Sequence, residues 1–262
     1  METVDISIAA LTISFLLLAA PVFLSRVYRL GLVRPLFISI ARMSVQLFLA
    51  GLFLKYLFLW NNIFLNLSWL TVMILVAVFS AIHGSSMRPK TVLVPGFISF
   101  LLATFAVVFY LNVFVIRLDY VFDARYLVVL GGMLLGNSLR GNIVGIDSFY
   151  KSIQKDNRRF LYLLSLGASH REAMLPYFQE SVSLALKPTV AAMATMGIVA
   201  LPGMMTGVIL GGASPDVAIK YQIMIMIGIV VSTAISVVLT ILMTARVCFT
   251  KYGVLRNDIF VK

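Results

Sequence analysis

ALPGMMTGVILGGASP, residues 200–215, places Pro202, Gly203, Gly207, Gly211 and Gly212 inside a run otherwise apolar enough to cross a bilayer. Proline removes a helix hydrogen bond and glycine weakens a helix, so neither suits a plain span. The surrounding composition says that a bilayer is nonetheless the solvent. Of 262 residues, 61% are hydrophobic and 12% charged, with mean hydropathy +1.03. Soluble domains run nearer to about 45–50% apolar and about 25% charged. Such a chain is expected to be an all-α, polytopic membrane helix bundle, because helices satisfy their own backbone in lipid. A cleavable leader is not expected: Glu2 and Asp5 stand where a basic stretch should be, and Pro21 is followed by Arg26. Cys248, the single cysteine, permits no internal disulfide and reads as a lipid-facing or packing residue.

A span needs roughly 20 apolar residues. Seven stretches qualify: Val4–Leu24, Leu36–Leu59, Ile63–Ile82, Thr91–Ile116, Tyr126–Ile146, Thr189–Leu210 and Val217–Val247. The fifth is the weakest, being glycine-rich and carrying Arg140. With the N-terminus outside, the inner loops hold Arg26, Arg29, Arg34, Arg88, Lys90, Lys151, Lys155, Arg158, Arg159, Arg171, Lys187, Arg246, Lys251, Arg256 and Lys262. The outer loops hold Arg117 and Arg125. The positive-inside rule therefore orients the chain N-out and C-in. The net charge of +11 follows from that topology and from anionic lipid, and calls for no nucleic acid.

Residues 149–188 form the one sizeable segment between spans. Phe149, Ile153, Phe160, Leu163 and Leu164 recur at helical spacing among basic residues, so this stretch should lie on the inner face or continue span five. Within it, LSLGASHREAMLPY (164–177) sets Gly167 to end one helix and Ser169 with Glu172 as a capping box for the next. Pro176 should stop that next helix after one or two turns. An ordinary loop turn has the same ingredients.

LSLGASHREA resembles the cytoplasmic loop of ABC-transporter permeases, whose Glu-Ala-Ala motif runs into a Leu-Gly-Ala-Ser core. Leu166, Gly167, Ala168 and Ser169 match the core and Ala173 the alanine that follows. The Glu-Ala-Ala positions are Leu161, Tyr162 and Leu163 here, a departure from the motif. LPGMMTGVILGGASPDVAIKYQIMI (201–225) resembles the FetB-type permease family, as do GMLLGN (132–137) and ARMSVQL (41–47), with Arg42 and Gln46 retained. The resemblance implies that residues 1–262 form a single ABC transporter transmembrane domain in the bacterial inner (plasma) membrane. It implies export of a metal ion, iron in the bacterial members, with plant relatives linked to aluminium tolerance. It assigns ATPase coupling to Leu166, Gly167, Ala168, Ser169, Arg171, Glu172 and Ala173, on a short docking helix.

In that setting Pro202 should kink span six, since it cannot donate to the carbonyl of Ile198. Gly203, Gly207 and Gly211 would line a groove for another helix. Met193, Met196, Ala200 and Met204 would share one side, beside Met205. Their thioethers suit adaptable packing at a moving interface, or a soft ion such as Cu(I). Arg42 and Gln46 on span two, and Asn137 and Arg140 on span five, are polar groups at membrane depth, which face cavities or partners. Arg42 would snorkel to the inner surface, join a structural pair, or meet an anionic substrate. Gly132/Gly136 and Gly141/Gly145 mark span five for close packing, with span six a candidate neighbour, and His83 and His170 read as surface residues. The pathway or hinge set is therefore Arg42, Gln46, Asn137, Met196, Pro202, Gly203, Met204, Met205 and Gly207, with no metal ligand set assigned.

The chain contains no G-x-x-x-x-G-K-[ST] phosphate loop, so ATP and Mg belong on a separate cognate ATPase and this chain holds no cofactor. Two ATPases closing on two nucleotides imply a homodimer of this chain. An ABC half-transporter for a nucleotide sugar or lipid is the alternative substrate reading. An autonomous channel or carrier would need acidic residues within spans, where there are almost none, and an intramembrane enzyme would need a nucleophile–base pair or an HExxH motif.

Overall fold

The structure, a computed structural model, describes residues 7–85, 87–199, 201–250, 253–256 and 259–260. The described residues fold as a chain of helices: α1 Ile8–Ser14, a 3-10 turn Phe15–Leu18, α2 Ala19–Val27, α3 Val33–Trp60, α4 Ile63–Gly84, α5 Pro89–Tyr110, a π turn Leu111–Ile116, α6 Ala124–Lys155, α7 Asn157–Ser165, α8 His170–Thr195, α9 Gly203–Leu210 and α10 Pro215–Cys248. Local chemistry sets the boundaries. Asn62 and Asp123 cap α4 and α6 by accepting from Phe64 N and Arg125 N. Pro89 and Pro215 occupy first-turn positions where no N–H is needed. Six segments among the described residues are long and apolar enough to cross a membrane: Ala9–Val27, Val33–Trp60, Ile63–Gly84, Val92–Ile116, Ala124–Lys155 and Pro215–Cys248. The chain is a polytopic helical membrane protein.

The expected sixth span is the one that differs. Thr189–Leu210 is not a single helix: α8 ends at Thr195, described residues 196–199, 201 and 202 lie outside any helix, and α9 begins at Gly203. Side-chain contacts nevertheless show that α8, largely N-terminal to the expected stretch, runs back along α6. Gly141 and Gly145 of α6 lie against Ala185 of α8, and Ser181 donates to Ser148, so α6 and α8 are antiparallel. Ser138 meets Ser232 and Tyr150 meets Thr244, so α6 and α10 run parallel. α8 is therefore the helix that brings the chain back between the parallel α6 and α10.

α6, the stretch expected to be weakest, is the hub of the bundle. It packs on α4, α8 and α10, and its glycines are what let them in. A Cβ on Gly131 would come within 2.7 Å of Leu70, one on Gly141 within 2.4 Å of Thr233, and one on Gly145 within 2.8 Å of Val237. Glycine lowers hydropathy while permitting backbone approach, so the same residues weakened the span signal and made the core. Gly136, by contrast, has open space. Along the α6–α10 seam run fully buried hydroxyls and an amide: Ser138–Ser232 at 3.3 Å, Asn142–Ser236 at 2.9 Å and Tyr150–Thr244 at 2.7 Å. Interhelical bonds of this kind are worth about 0.6 kcal/mol each, so close packing contributes more than they do. Cys248 is buried in this core rather than facing lipid.

α3 stands apart. Beyond its contact with α2 it packs on the bundle through its last two turns, by Leu57 and a stack of Phe53 on Trp69 with ring centroids 4.1 Å apart. Just beyond, Asn61 accepts from Asn66 Nδ2 and Ala124 N and donates to Asp123, tying the α3–α4 turn to the start of α6. At the opposite end, described residues among 249–250, 253–256 and 259–260 form a small clasp. Phe249 bridges Leu255, Met87 bridges Phe260, and Arg88 N donates to Ile259 O at 2.7 Å. Ile259 and Phe260 are thereby fastened to Met87 and Arg88, just ahead of α5. Glu2, Asp5, Ala200, Lys251 and Lys262, on which some expectations rest, lie outside the described residues.

Candidate functional site

The α7–α8 corner is built by backbone chemistry that the sequence announces. α7 ends in a Schellman motif: Gly167 N donates to Leu164 O and Ala168 N to Leu163 O, both at 3.1 Å. That motif needs a left-handed residue, and Gly167 has φ +89°. Ser169 then starts α8 with a complete capping box. Glu172 N donates to Ser169 Oγ at 3.3 Å, and Ser169 N donates to Glu172 Oε2 at 2.8 Å. The Ser169 hydroxyl also donates to Glu172 Oε2 at 2.7 Å. These bonds, the hydroxyl first and the backbone second, hold the Glu172 carboxyl below its ordinary range. Two helix ends are thus locked back to back with two residues, Gly167 and Ala168, between their caps.

The expected short helix is corrected on one point. Pro176 does not end it: α8 continues through Pro176 and Pro188 to Thr195. A proline inside a helix costs about 3 kcal/mol. Ala173, Tyr177, Ser181 and Ala185, spaced four apart, form a buried stripe on α8, and this tertiary packing outweighs the penalty. The short helix at this corner is α7, which carries Leu161, Tyr162 and Leu163. The helical run from Phe149 does continue span five, with one break at Asp156.

Leu166 is 66% exposed at the tip of the corner, with exposed Tyr162 and Leu175 near it in sequence. Gly167, Ser169, Arg171 and Glu172 are exposed, Ala168 is half-buried, and Ala173 is fully buried as the first member of the α8 stripe. His170 is not a plain surface residue. Its ring packs edge-on against Phe249 at 4.5 Å and Phe160 at 5.9 Å, and its Nδ1 is buried with no hydrogen-bond partner. Burial pushes its pKa below the ordinary value, favouring the neutral ring. His83 does sit exposed, with Nδ1 3.0 Å from Phe79 O. Phe249 therefore couples the end of α10 to the α8 start, a link with no sequence signal beyond an aromatic at the end of a span.

The pathway residues do not converge. Arg42 is exposed on the unpacked part of α3 and Gln46 lines an apolar groove with Trp69, Ser80 and Leu135. Asn137 turns back onto its own helix, donating to Met133 O at 2.9 Å. Met196, Met204 and Met205 lie at the α8–α9 break on the α10 side. Pro202 does not kink a helix; it is the N-cap of α9, and the chain has already left α8 at Met196 and Gly197, whose φ is +86°. Nor do Gly203, Gly207 and Gly211 hold a neighbouring helix: Gly203 and Gly207 have open space, and Gly211 meets only α9's own backbone. The break also dissolves the shared face of Met193, Met196 and Met204, since helical spacing does not carry across it. Gln222 on α10 was missed. It is 7% exposed, donates to Met196 Sδ at 3.6 Å and keeps a buried Oε1 without a partner. A glutamine inside a long apolar span was its visible signal. Among the described residues no three His, Cys, Asp or Glu side chains group to hold a metal.

The model of an uncharacterised protein family, UPF0014, matches residues 8–249. The "Probable iron export permease protein FetB" of Escherichia coli K12 is 28% identical over 246 residues, covering 94% of this chain and 93% of its own. "Protein ALUMINUM SENSITIVE 3" of Arabidopsis thaliana is 32% identical over 244 residues, covering 91% and 86%. The "UPF0014 membrane protein YjkA" of Bacillus subtilis 168 is 28% identical over 255 residues, covering 95% and 97%. No solved structure matches. A family match across nearly the whole helical bundle, with relatives aligned over most of their length, has one reading: the chain belongs to the membrane-protein family UPF0014.

Proposed function

We propose that this chain is the membrane subunit of an ABC exporter, working as a homodimer with two copies of a separate ATPase that bind ATP and Mg. The observation that carries the reading is the α7–α8 corner. An apolar residue, Leu166, stands 66% exposed on a turn made rigid by a Schellman motif and a capping box. A rigid apolar knob is what a docking cleft can grip, and a rigid turn transmits a push without absorbing it.

The push has a path. α8 is one helix from His170 to Thr195 and packs antiparallel on α6 through Gly141, Gly145 and Ala185. Closing the ATPases would drive the two corners together, tilt α8 against α6 and α10, and move the 196–202 break and α9 at its far end. The unpacked face of α3 and the open glycine face of α9 are surfaces a second copy can cover. The cargo we infer is a metal ion, iron, in keeping with the name of the Escherichia coli relative. N-out, C-in orientation in the bacterial plasma membrane puts the corner with the ATPase.

Co-expression with the cognate ATPase tests this. The two chains should co-purify at equal stoichiometry, hydrolysis should require the ATPase, and Leu166→Asp should abolish the complex while leaving the membrane chain's yield unchanged. Robust ATP hydrolysis by the purified chain alone, or an undiminished complex with Leu166→Asp, overturns the proposal.

A further inference from the structure

A groove of about 580 Å³ opens between α6, α8 and α10 beside the α8 start, walled by Phe149, Met174, Phe178 and Ile241. Its polar rim carries Arg171, in the first turn of α8, and Arg246, in the last turn of α10. The ion pair found among the described residues is Lys151–Asp147, so neither guanidinium is neutralised by a carboxylate there. We propose that this groove seats an anionic phospholipid, its phosphate on Arg171 and Arg246 and an acyl chain along the aromatic and aliphatic wall.

Three features of the site favour that occupant. Arg246 ends an apolar 34-residue helix, so the rim lies where a span meets the headgroup layer. The walls are apolar down to Ile241 and Leu242, one helical turn deeper along α10, which suits a chain of methylenes and no water-soluble anion. Guanidinium forks pair bidentately with phosphate oxygens, and both Arg171 and Arg246 line this groove. Basic pockets between helices at a membrane surface take anionic headgroups by this arithmetic. The seat shares Phe149 and His170 with the aromatic cluster behind the α7–α8 corner, so an occupied groove braces that corner.

The test uses the purified full-length chain without any ATPase, so its outcome is separate from that of the ABC reading. Native mass spectrometry would compare retention of dioleoylphosphatidylglycerol and dioleoylphosphatidylcholine from mixed micelles, for wild type, Arg171→Gln, Arg246→Gln and a control Arg158→Gln/Arg159→Gln. Those control arginines lie on α7 and do not line the groove. Wild type and control should retain the anionic lipid selectively, and each groove variant should lose about fivefold of that preference, following the worth of one cation at an anionic surface. Size-exclusion profiles confirm that each variant stays folded. Equal loss in the control would mean diffuse surface charge and would sink the proposal. So would binding of soluble glycerophosphoglycerol as tight as that of the lipid, because the apolar wall would then contribute nothing.

Discussion

Gly141 and Gly136 are five residues apart on one helix and differ in everything that matters. A methyl group at Gly141 would press into Thr233 Cγ2 at 2.4 Å, and at Gly136 it would meet nothing within 4 Å. Gly141→Ala should therefore destabilise the bundle by about 1–3 kcal/mol, the cost of overpacking a tight seam. Gly136→Ala should be neutral or slightly stabilising, since alanine is the better helix former. Unfolding in detergent micelles, followed by circular dichroism, separates them; equal effects would show that the α6–α10 approach is looser than 2.4 Å implies. His170 argues a second case at this scale. Its depressed pKa means the unfolded chain binds the proton more readily, so its contribution to stability is present above about 6.5 and falls as pH drops below. Glu172, also depressed, contributes above the ordinary carboxylate range and loses that in stronger acid. Acidifying from about pH 7.5 to 5.5 should thus loosen wild type through His170 first, and His170→Phe should flatten that step while keeping the ring contacts with Phe249 and Phe160. A step of the same size in both proteins would refute the assignment.

At the scale of elements, what local chemistry writes was legible and what tertiary packing decides was not. Gly167 and the Ser169/Glu172 pair announced both caps of the corner, because caps are satisfied by residues three to five apart. Pro176 misled, because the stripe from Ala173 to Ala185 that carries α8 past it gains its energy from contact with other helices. Pro202 misled in the opposite sense: a kink was expected where Met196 and the left-handed Gly197 had already ended the helix. The distinction is measurable. If Pro202 alone broke the span, Pro202→Ala would join α8 to α9 and protect the amides between them. The structure makes Gly197 the exit, so in hydrogen exchange residues 196–201 should exchange much faster than residues 182–192 in wild type and Pro202→Ala alike. Protection spreading through 196–201 in the variant would restore the kinked-helix picture.

For the whole molecule, hydropathy anticipated the six long apolar helices among the described residues, because a bilayer demands length and apolarity before anything else. It could not see that the expected sixth span is broken, since residues 189–210 are apolar throughout and only backbone dihedrals reveal the exit at Gly197. Direction is a separate matter, and the helix contacts constrain it. With α4, α6 and α10 parallel, and α5 and α8 opposed to them, the turn at residues 117–123 and the corner at residues 166–169 must lie at opposite ends of the bundle. The basic residues then say which end is inside. Asn61 is a poor reporter for the outer end, because it is locked to Asn66, Ala124 and Asp123. Asp119→Cys and Ser165→Cys, both near the tips of these turns, are better placed. Cys248 is fully buried, so the native chain should take no label in intact cells and no cysteine-free background is needed. An impermeant maleimide added outside should modify Asp119→Cys and leave Ser165→Cys untouched until the membrane is opened. Labelling at both positions from one side would contradict the bundle itself. Reversed labelling would leave the fold standing, invert the N-out reading, and take the corner out of reach of a cytoplasmic ATPase.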